Sequence, residues 1–337
     1  MCIIRRFQRH WRSLQYFFAF HTGKTTLAYL PHTVVIELAS GCNMRCVMCP
    51  HSFNHRWKDG VMDMKLFEKI VAEIGRYAFR VILQNRGEPL LNRHLPDMVK
   101  KCKDAGLDVS LNTNATLLKP DLAERLISSG LDLIVFSFNG ETREIHDAVS
   151  QADSFDRMFA NVIGFLEKKK QMQSKKPIAR VQVLKFRGEE GEKGRYKLGE
   201  AFKRRFDGLP LDAMSTMWAV NRAGDAKRAA NIEIRPPRFN YLPCRWLWSE
   251  AVIFWDGKVL PCCNDFNEEY IIGDVSRESL AAIWNGERVV ALRKALVEGR
   301  NAEVALCRDC DILYSVEEEN TPIKRAAAKL LRAFNRP

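Results

Sequence analysis

The chain has 337 residues, of which 46% are hydrophobic and 28% charged, and a formal net charge of +12. It is long enough for one large core or two smaller ones, and its composition is that of a soluble globular protein. No run of about 18 or more uncharged apolar residues occurs, which excludes a membrane-spanning helix. The positive charge suits an anionic substrate, an acidic partner or an anionic surface. No nucleic-acid-binding module accompanies it, so no specific nucleic acid is expected.

Residues 1–31 form a basic, aromatic extension with an apolar patch at 14–20. The patch is too short to span a bilayer and lacks a small-residue cleavage site. It reads as an amphipathic leading helix packed on the main body, with weak contact to a membrane surface through residues 1–29 as the alternative. No secretory signal is visible, so the expected location is cytoplasmic. There the ten cysteines read as ligands or redox groups rather than a disulfide framework.

From about residue 32 to 220, short β-branched runs alternate with amphipathic stretches. Strands are expected at 33–38, 80–84, 107–111, 131–136 and 179–184, with a weaker one at 212–218. Helices are expected at 65–77, 95–105, 121–129, 154–168 and 197–206. Repeated strand–helix units imply a parallel sheet with helices outside. Six units are too few for a closed eight-unit barrel, so the expected fold is α/β, a partial (β/α)6 barrel with ligands at the carboxyl ends of its strands. Residues 221–243 read as a linker. In a smaller module at 244–314, Asp256-Gly257 lies between two apolar runs as a hairpin signal, and two short helices follow at 276–284 and 288–297. Residues 315–337 read as a basic tail.

Cys42, Cys46 and Cys49 follow the first expected strand with the spacing CxxxCxxC. Three thiolates on one tight loop can each bind one iron of a cubane and leave the fourth iron open. A closed zinc site is poorly served by three cysteines, although His51 is close. With this loop the sequence resembles the radical S-adenosylmethionine (SAM) superfamily. In that family SAM binds the open iron of a [4Fe–4S] cluster, one electron splits it, and the resulting 5′-deoxyadenosyl radical takes a hydrogen atom from substrate. Met48 stands where the family usually has an aromatic residue, near the adenine.

Further segments extend the resemblance. Arg86-Gly87-Glu88-Pro89 is similar to the motif that receives the SAM amino group, with Arg86 in place of the usual first glycine. Ser137-Phe138-Asn139-Gly140 resembles the element contacting SAM carboxylate and ribose, with Asn139 for the commoner Asp. The resemblance thus implies Met48, Gly87, Glu88, Ser137 and Asn139 as SAM contacts. Asn112-Thr113-Asn114 and Gln182 are weaker candidates. His51, His55, Cys2 and Cys102 take structural readings.

In the last third, Cys244 is followed by twelve residues, Gly257, four residues and Cys262, with Cys307 and Cys310 as a later CxxC. In isolation this set suits a structural zinc site. Here it resembles the SPASM/Twitch extension of radical SAM enzymes. No cysteine follows Cys310, which matches the shorter Twitch form with one auxiliary [4Fe–4S] cluster. Cys244, Cys262, Cys307 and Cys310 are the implied ligands, and the gap after Gly257 selects Cys262 over Cys263. A fully ligated cluster near the pocket can accept an electron from a substrate radical. The resemblance therefore implies a dehydrogenase-type oxidoreductase acting on a sugar, aminocyclitol or related small molecule, with reducing power from a donor such as flavodoxin or ferredoxin. A peptide-modifying maturase and an epimerase are the enzymatic alternatives, the latter needing a hydrogen donor such as Cys263. An iron–sulfur electron-transfer protein or a zinc-binding structural protein is the non-enzymatic one. Lys185 and Arg86 are candidates for the catalytic base.

Overall fold

Nine strands share one sheet, ordered β6-β5-β4-β3-β2-β1-β7-β8-β9. The structure is a computed structural model describing residues 2–53, 55–186, 198–219 and 241–314. It begins with α1 (Cys2–His21), β1 (Thr33–Ile36), α2 (Pro50–Phe53), α3 (Met64–Ile74) and β2 (Arg80–Ile82). Next come α4 (Leu95–Asp104), β3 (Asp108–Thr113), α5 (Pro120–Ser128), β4 (Leu133–Phe138), α6 (Arg143–Ser150) and α7 (Phe155–Gln171). The parallel series ends with β5 (Ile178–Lys185), α8 (Glu200–Arg204) and β6 (Ala213–Trp218). The C-terminal part adds β7 (Glu250–Ile253), β8 (Lys258–Leu260), β9 (Gly273–Asp274), α9 (Leu280–Ile283), α10 (Glu287–Val297) and α11 (Ala305–Arg308).

The first six strands run parallel, each joined to its neighbour in chain order, as the strand–helix alternation predicts. Alternate residues divide between two faces. Val34, Val81, Val109, Ile134 and Val181 point into the main core, where Phe67, Ile70 and Ile74 of α3 also lie. Asp63 caps α3 by accepting a hydrogen bond from the Lys65 backbone N–H at 2.8 Å. On the opposite, inner face a small apolar wall forms from Val35, Val252, Phe254 and Leu260, with Ile82 and Cys263 against it.

The hairpin signalled by Asp256-Gly257 forms, and its role is larger than a separate module would require. Strand β7 pairs in parallel with β1, and β8 and β9 follow antiparallel. The hairpin therefore extends the barrel sheet, covering the β1 edge that an open sheet would expose. Gly257 adopts a φ of 96°, a left-handed conformation that glycine takes without steric cost.

Residues 24–29 are strapped to the C-terminal region. The Trp248 indole donates to the Lys24 carbonyl at 2.7 Å, and the Trp284 indole donates to the Tyr29 carbonyl at 2.8 Å. Buried Arg293 donates to the carbonyls of Leu247 and Thr25 at 2.9 and 3.0 Å and lies over the Trp284 ring. Both indoles are fully buried, so each contributes apolar area with its polar handle satisfied.

Three short helices, α2, α6 and α11, were not foreseen; each is too brief to show a helical period. The helix expected at 276–284 shrinks to α9, because Ser279 caps it from inside that span, accepting from Ala282 N–H at 3.2 Å. Residues 221–240 of the expected linker and the whole of 315–337 lie outside the described residues. Among the described residues, no helix is long and apolar enough to cross a membrane.

Candidate active site

The residues singled out for cofactor chemistry gather at the carboxyl ends of β1 to β4. The loop after β1 carries Cys42, Cys46 and Cys49, and α6 holds it down. Arg45 N–H donates to the Ser150 carbonyl at 3.3 Å, and Val47 N–H donates to the Val149 carbonyl at 2.9 Å. Within the loop Cys49 N–H donates to the Cys46 carbonyl at 2.9 Å. The neighbouring thiols oppose one another's ionisation. Burial first, then nearby Glu88, Cys46 and Cys49, push Cys42 up to about 12. Burial and Cys49 push Cys46 up to about 11. Without metal these sulfurs stay protonated, so binding iron must release protons.

Two amides address the sulfurs. The Asn139 side chain donates to Cys46 Sγ at 3.2 Å and to Ser150 Oγ at 2.9 Å. Asn114 Nδ2 lies 4.0 Å from Cys42 Sγ and 3.0 Å from Asn43 Oδ1. Such donors stabilise thiolate and cluster sulfur alike.

The turn after β2 is pressed against the cysteine loop. Glu88 N–H donates to the Gly41 carbonyl at 2.9 Å. A Cβ on Gly87 would sit 2.2 Å from that oxygen and 2.4 Å from the Ala39 carbonyl, so only glycine fits. Glu88 is fully enclosed and accepts from Thr113 Oγ1 at 2.6 Å, Asn114 N–H at 2.8 Å and Leu90 N–H at 3.1 Å. Burial lifts its carboxyl to about 7, with those three donors pulling the other way. A carboxylate poised in this way beside three thiols fits an ammonium ligand well. Ser137 lies on β4 in register with Gln182 of β5, both half-buried on the inner face. Met48 is half-buried on the cysteine loop. The Asn139 backbone N–H donates to His146 Nδ1 at 3.1 Å, which fixes the turn after β4. His146, held neutral by burial, was not foreseen; a histidine on an unforeseen helix gave no signal.

The candidate bases are both engaged. Lys185, at the end of β5, pairs with Glu141 at 2.9 Å, and both are buried. Arg86 is enclosed between the Phe254 and Trp57 rings. Its guanidinium pairs with Glu37 through bonds of 2.7 and 2.8 Å and reaches the Phe266 carbonyl at 2.8 Å and Glu268 at 3.1 Å. Committed to these acceptors, Arg86 is a tie between the two halves of the molecule. Beside it, ligand atoms of His51, His55 and Asp59 lie within 4.8 Å of one another, although the positive charge of nearby Arg45 opposes a cation there.

A second sulfur site lies about the C-terminal hairpin. Cys244, Cys262, Cys307 and Cys310 line one cavity walled by Leu247, Leu292, Leu296 and Leu306. Burial and the neighbouring sulfurs push Cys244 and Cys307 up to about 12. Asn264 N–H donates to Cys262 Sγ at 3.3 Å. Four soft donors in an apolar enclosure suit a fully ligated cluster or zinc. Cys263 does not line this cavity; it packs against the inner apolar wall formed around β1, β7 and β8.

Comparison with known proteins finds a family match over each cysteine-bearing region. Residues 36–169 match the radical SAM superfamily, and residues 244–311 match the SPASM iron–sulfur cluster-binding domain. The chain is 27% identical over 324 residues to the tungsten-containing aldehyde ferredoxin oxidoreductase cofactor-modifying protein of Pyrococcus furiosus, covering 82% of this chain and 86% of that one. It is 24% identical over 294 residues to the S-adenosyl-L-methionine-dependent 2-deoxy-scyllo-inosamine dehydrogenase of Niallia circulans, covering 85% and 95%. Among solved structures, BtrN in complex with AdoMet and 2-DOIA superposes with a TM-score of 0.58 at 21% identity, covering 87% of this chain and 97% of that one. The last likeness establishes the fold.

Proposed function

We propose that this chain, a radical SAM enzyme with a SPASM-type iron–sulfur region, is an oxidoreductase that removes hydrogen from a polyhydroxylated or amino-substituted small molecule. Its cofactors are SAM, a [4Fe–4S] cluster and auxiliary iron–sulfur. When bound, they supply one-electron cleavage of SAM to a 5′-deoxyadenosyl radical and a place for the electron left on substrate.

The chain's own residues divide the work. Cys42, Cys46 and Cys49 hold the SAM-side cluster, and Asn139 donates to the Cys46 sulfur. Gly87 lets the turn approach the cysteine loop, and Glu88 receives the SAM ammonium while Thr113 and Asn114 orient its carboxylate. Met48, Ser137 and Asn139 line the cofactor's adenosyl side. Cys244, Cys262, Cys307 and Cys310 hold one auxiliary cluster. Lys185 and Glu141 form the ion pair nearest to a proton-accepting role, since Glu141 can take a proton that Lys185 relays. The electron enters from a small reducing protein such as flavodoxin or ferredoxin.

The observation that carries this reading is the single cavity shared by four cysteines, which closes an auxiliary site and so favours electron uptake over substrate binding there. Similarity over nearly the whole length of an aminocyclitol dehydrogenase supports the substrate class. The test is anaerobic reconstitution with iron, sulfide, SAM and dithionite, followed by a panel of aminocyclitols and sugars. The expected result is 5′-deoxyadenosine with one oxidised product per equivalent. Absence of 5′-deoxyadenosine with both clusters intact overturns the enzymatic assignment. Turnover with hydrogen returned to the opposite face would instead favour an epimerase, for which Cys263 on the inner wall is the donor to examine.

A further inference from the structure

Helix α1 carries its apolar side outward. Trp11, Leu14, Phe17 and Phe18 are 56, 61, 59 and 58% exposed, and their spacing places them along one side of the helix. The opposite side is fixed to the body. Ala19 is buried, Phe20 meets the Trp248 ring edge-on with centroids 5.5 Å apart, and Arg9 pairs with Asp108 at 2.9 Å. Arg12 donates to the Tyr77 carbonyl, and both arginines lie over the Phe79 ring. The helix therefore cannot roll to bury the four side chains. Isolated exposed apolar residues are ordinary, but a contiguous row of three aromatics and a leucine marks a docking surface.

Charge says what docks. The α1 sequence contains no acidic residue, while Arg9 and Arg12 are spent on the body. Lys24 lies at the end of the exposed row, its ammonium 5.3 Å from the Phe18 ring centroid. The chain as a whole carries +12. A second copy docked through the same face would bring together two chains of +12, with their Lys24 side chains at the contact, a like-charge arrangement. An anionic lipid surface accepts both the aromatic row and the positive field.

We propose that α1 seats this protein on anionic membrane surfaces, with Trp11, Leu14, Phe17 and Phe18 entering the headgroup boundary. The helix lies across the end of the barrel where strands begin, since Phe79 precedes β2 and Asp108 opens β3. The cysteine loop follows the opposite end of β1. Seated in this way, the protein turns its candidate active site away from the lipid, so docking leaves SAM cleavage unchanged.

The test uses cluster-loaded full-length protein and co-sedimentation with phosphatidylglycerol-containing and pure phosphatidylcholine vesicles. Binding is expected to the anionic vesicles, weakening as salt rises. A Leu14→Gln/Phe18→Gln variant should bind them about tenfold or more weakly, with iron content and 5′-deoxyadenosine formation unchanged. Lys24→Glu should weaken binding to anionic vesicles without removing the aromatic row. Equal binding by wild type and the double variant, or no binding to anionic vesicles, overturns the proposal. A wild-type dimer by light scattering that the double variant dissolves would assign the face to a second copy instead.

Discussion

The two cysteine sites assemble their ligands in opposite ways. Cys42, Cys46 and Cys49 come from one loop of eight residues, pinned by α6 and approached by donors from the turns after β3 and β4. Cys244, Cys262, Cys307 and Cys310 come from separate segments, brought together only when the hairpin extends the sheet and α10 and α11 pack beneath it. The first site draws its three sulfurs from one short segment, one fewer than a cubane has irons. The second is a product of the tertiary fold and uses its sulfurs to close on itself. A local, open site suits chemistry that exchanges ligands; a distributed, closed site suits electron transfer, where ligands stay put.

The largest expected effects separate the two. Cys46→Ala should abolish 5′-deoxyadenosine formation, a loss of at least about a thousandfold given that the cofactor carries the chemistry, while iron content falls to about half as one of two cubanes is lost. Cys307→Ala should also lose about half the iron, yet still form 5′-deoxyadenosine without oxidised product. Product analysis beside iron determination checks both. If Cys307→Ala stops SAM cleavage as completely as Cys46→Ala does, the division of labour is wrong.

Arg86 joins the two regions, and its loss comes next in size. Arg86→Met leaves the Glu37 carboxylate buried without its partner. Breaking a buried pair on one side costs about 3–5 kcal/mol, or roughly 10 °C in melting temperature for a chain of this size. Adding Glu37→Gln removes the stranded charge and should recover part of that loss. Thermal melts of the single and double variants decide; no recovery would mean that Arg86 acts through its stacking on Phe254 and Trp57.

Glu88 gives a smaller effect with a distinctive pH signature. Glu88→Gln should weaken SAM binding about tenfold, the value of one charge-assisted hydrogen bond. In the SAM-free protein the Glu88 carboxyl titrates at about 7. Below that pH it is protonated and must lose its proton to pair with an ammonium. SAM affinity therefore rises as pH climbs toward 7 and levels off above it. Equilibrium binding between about pH 6 and 8 should show that slope in the wild type and none in Glu88→Gln.

The same contrast explains what the amino-acid sequence disclosed. The CxxxCxxC loop and the Gly87-Glu88 turn are short local segments that stand out by their resemblance to the radical SAM superfamily, and the alternation of strands and helices yielded the six parallel strands. Two features stayed hidden because each depends on partners distant in sequence, and a third because it is short. The pairing of β7 with β1 joins residues more than two hundred apart. Arg86 read as a departure from a glycine motif, with nothing to indicate that Glu37 and Glu268 would enclose its charge. Helix α6, which anchors the cysteine loop, has too few turns for a period to emerge.

The smallest expected effect tests the closed site most finely. Cys262 and Cys263 are adjacent where the chain enters a turn, and their side chains hydrogen-bond each other. Cys262 lines the four-sulfur cavity, whereas Cys263 packs on the inner wall with Val35, Val252 and Phe254. Cys263→Ala should therefore keep both clusters, by iron content and electron paramagnetic resonance, and change product formation by less than about twofold, because removing one sulfur from a half-buried wall costs little. Cys262→Ala should lose the auxiliary signal. If the two variants exchange these outcomes, the ligand is Cys263, which already neighbours Cys262 and Cys244. If Cys263→Ala instead keeps both clusters but lets a radical accumulate on substrate, that thiol is a hydrogen donor, and the inner wall belongs to the chemistry.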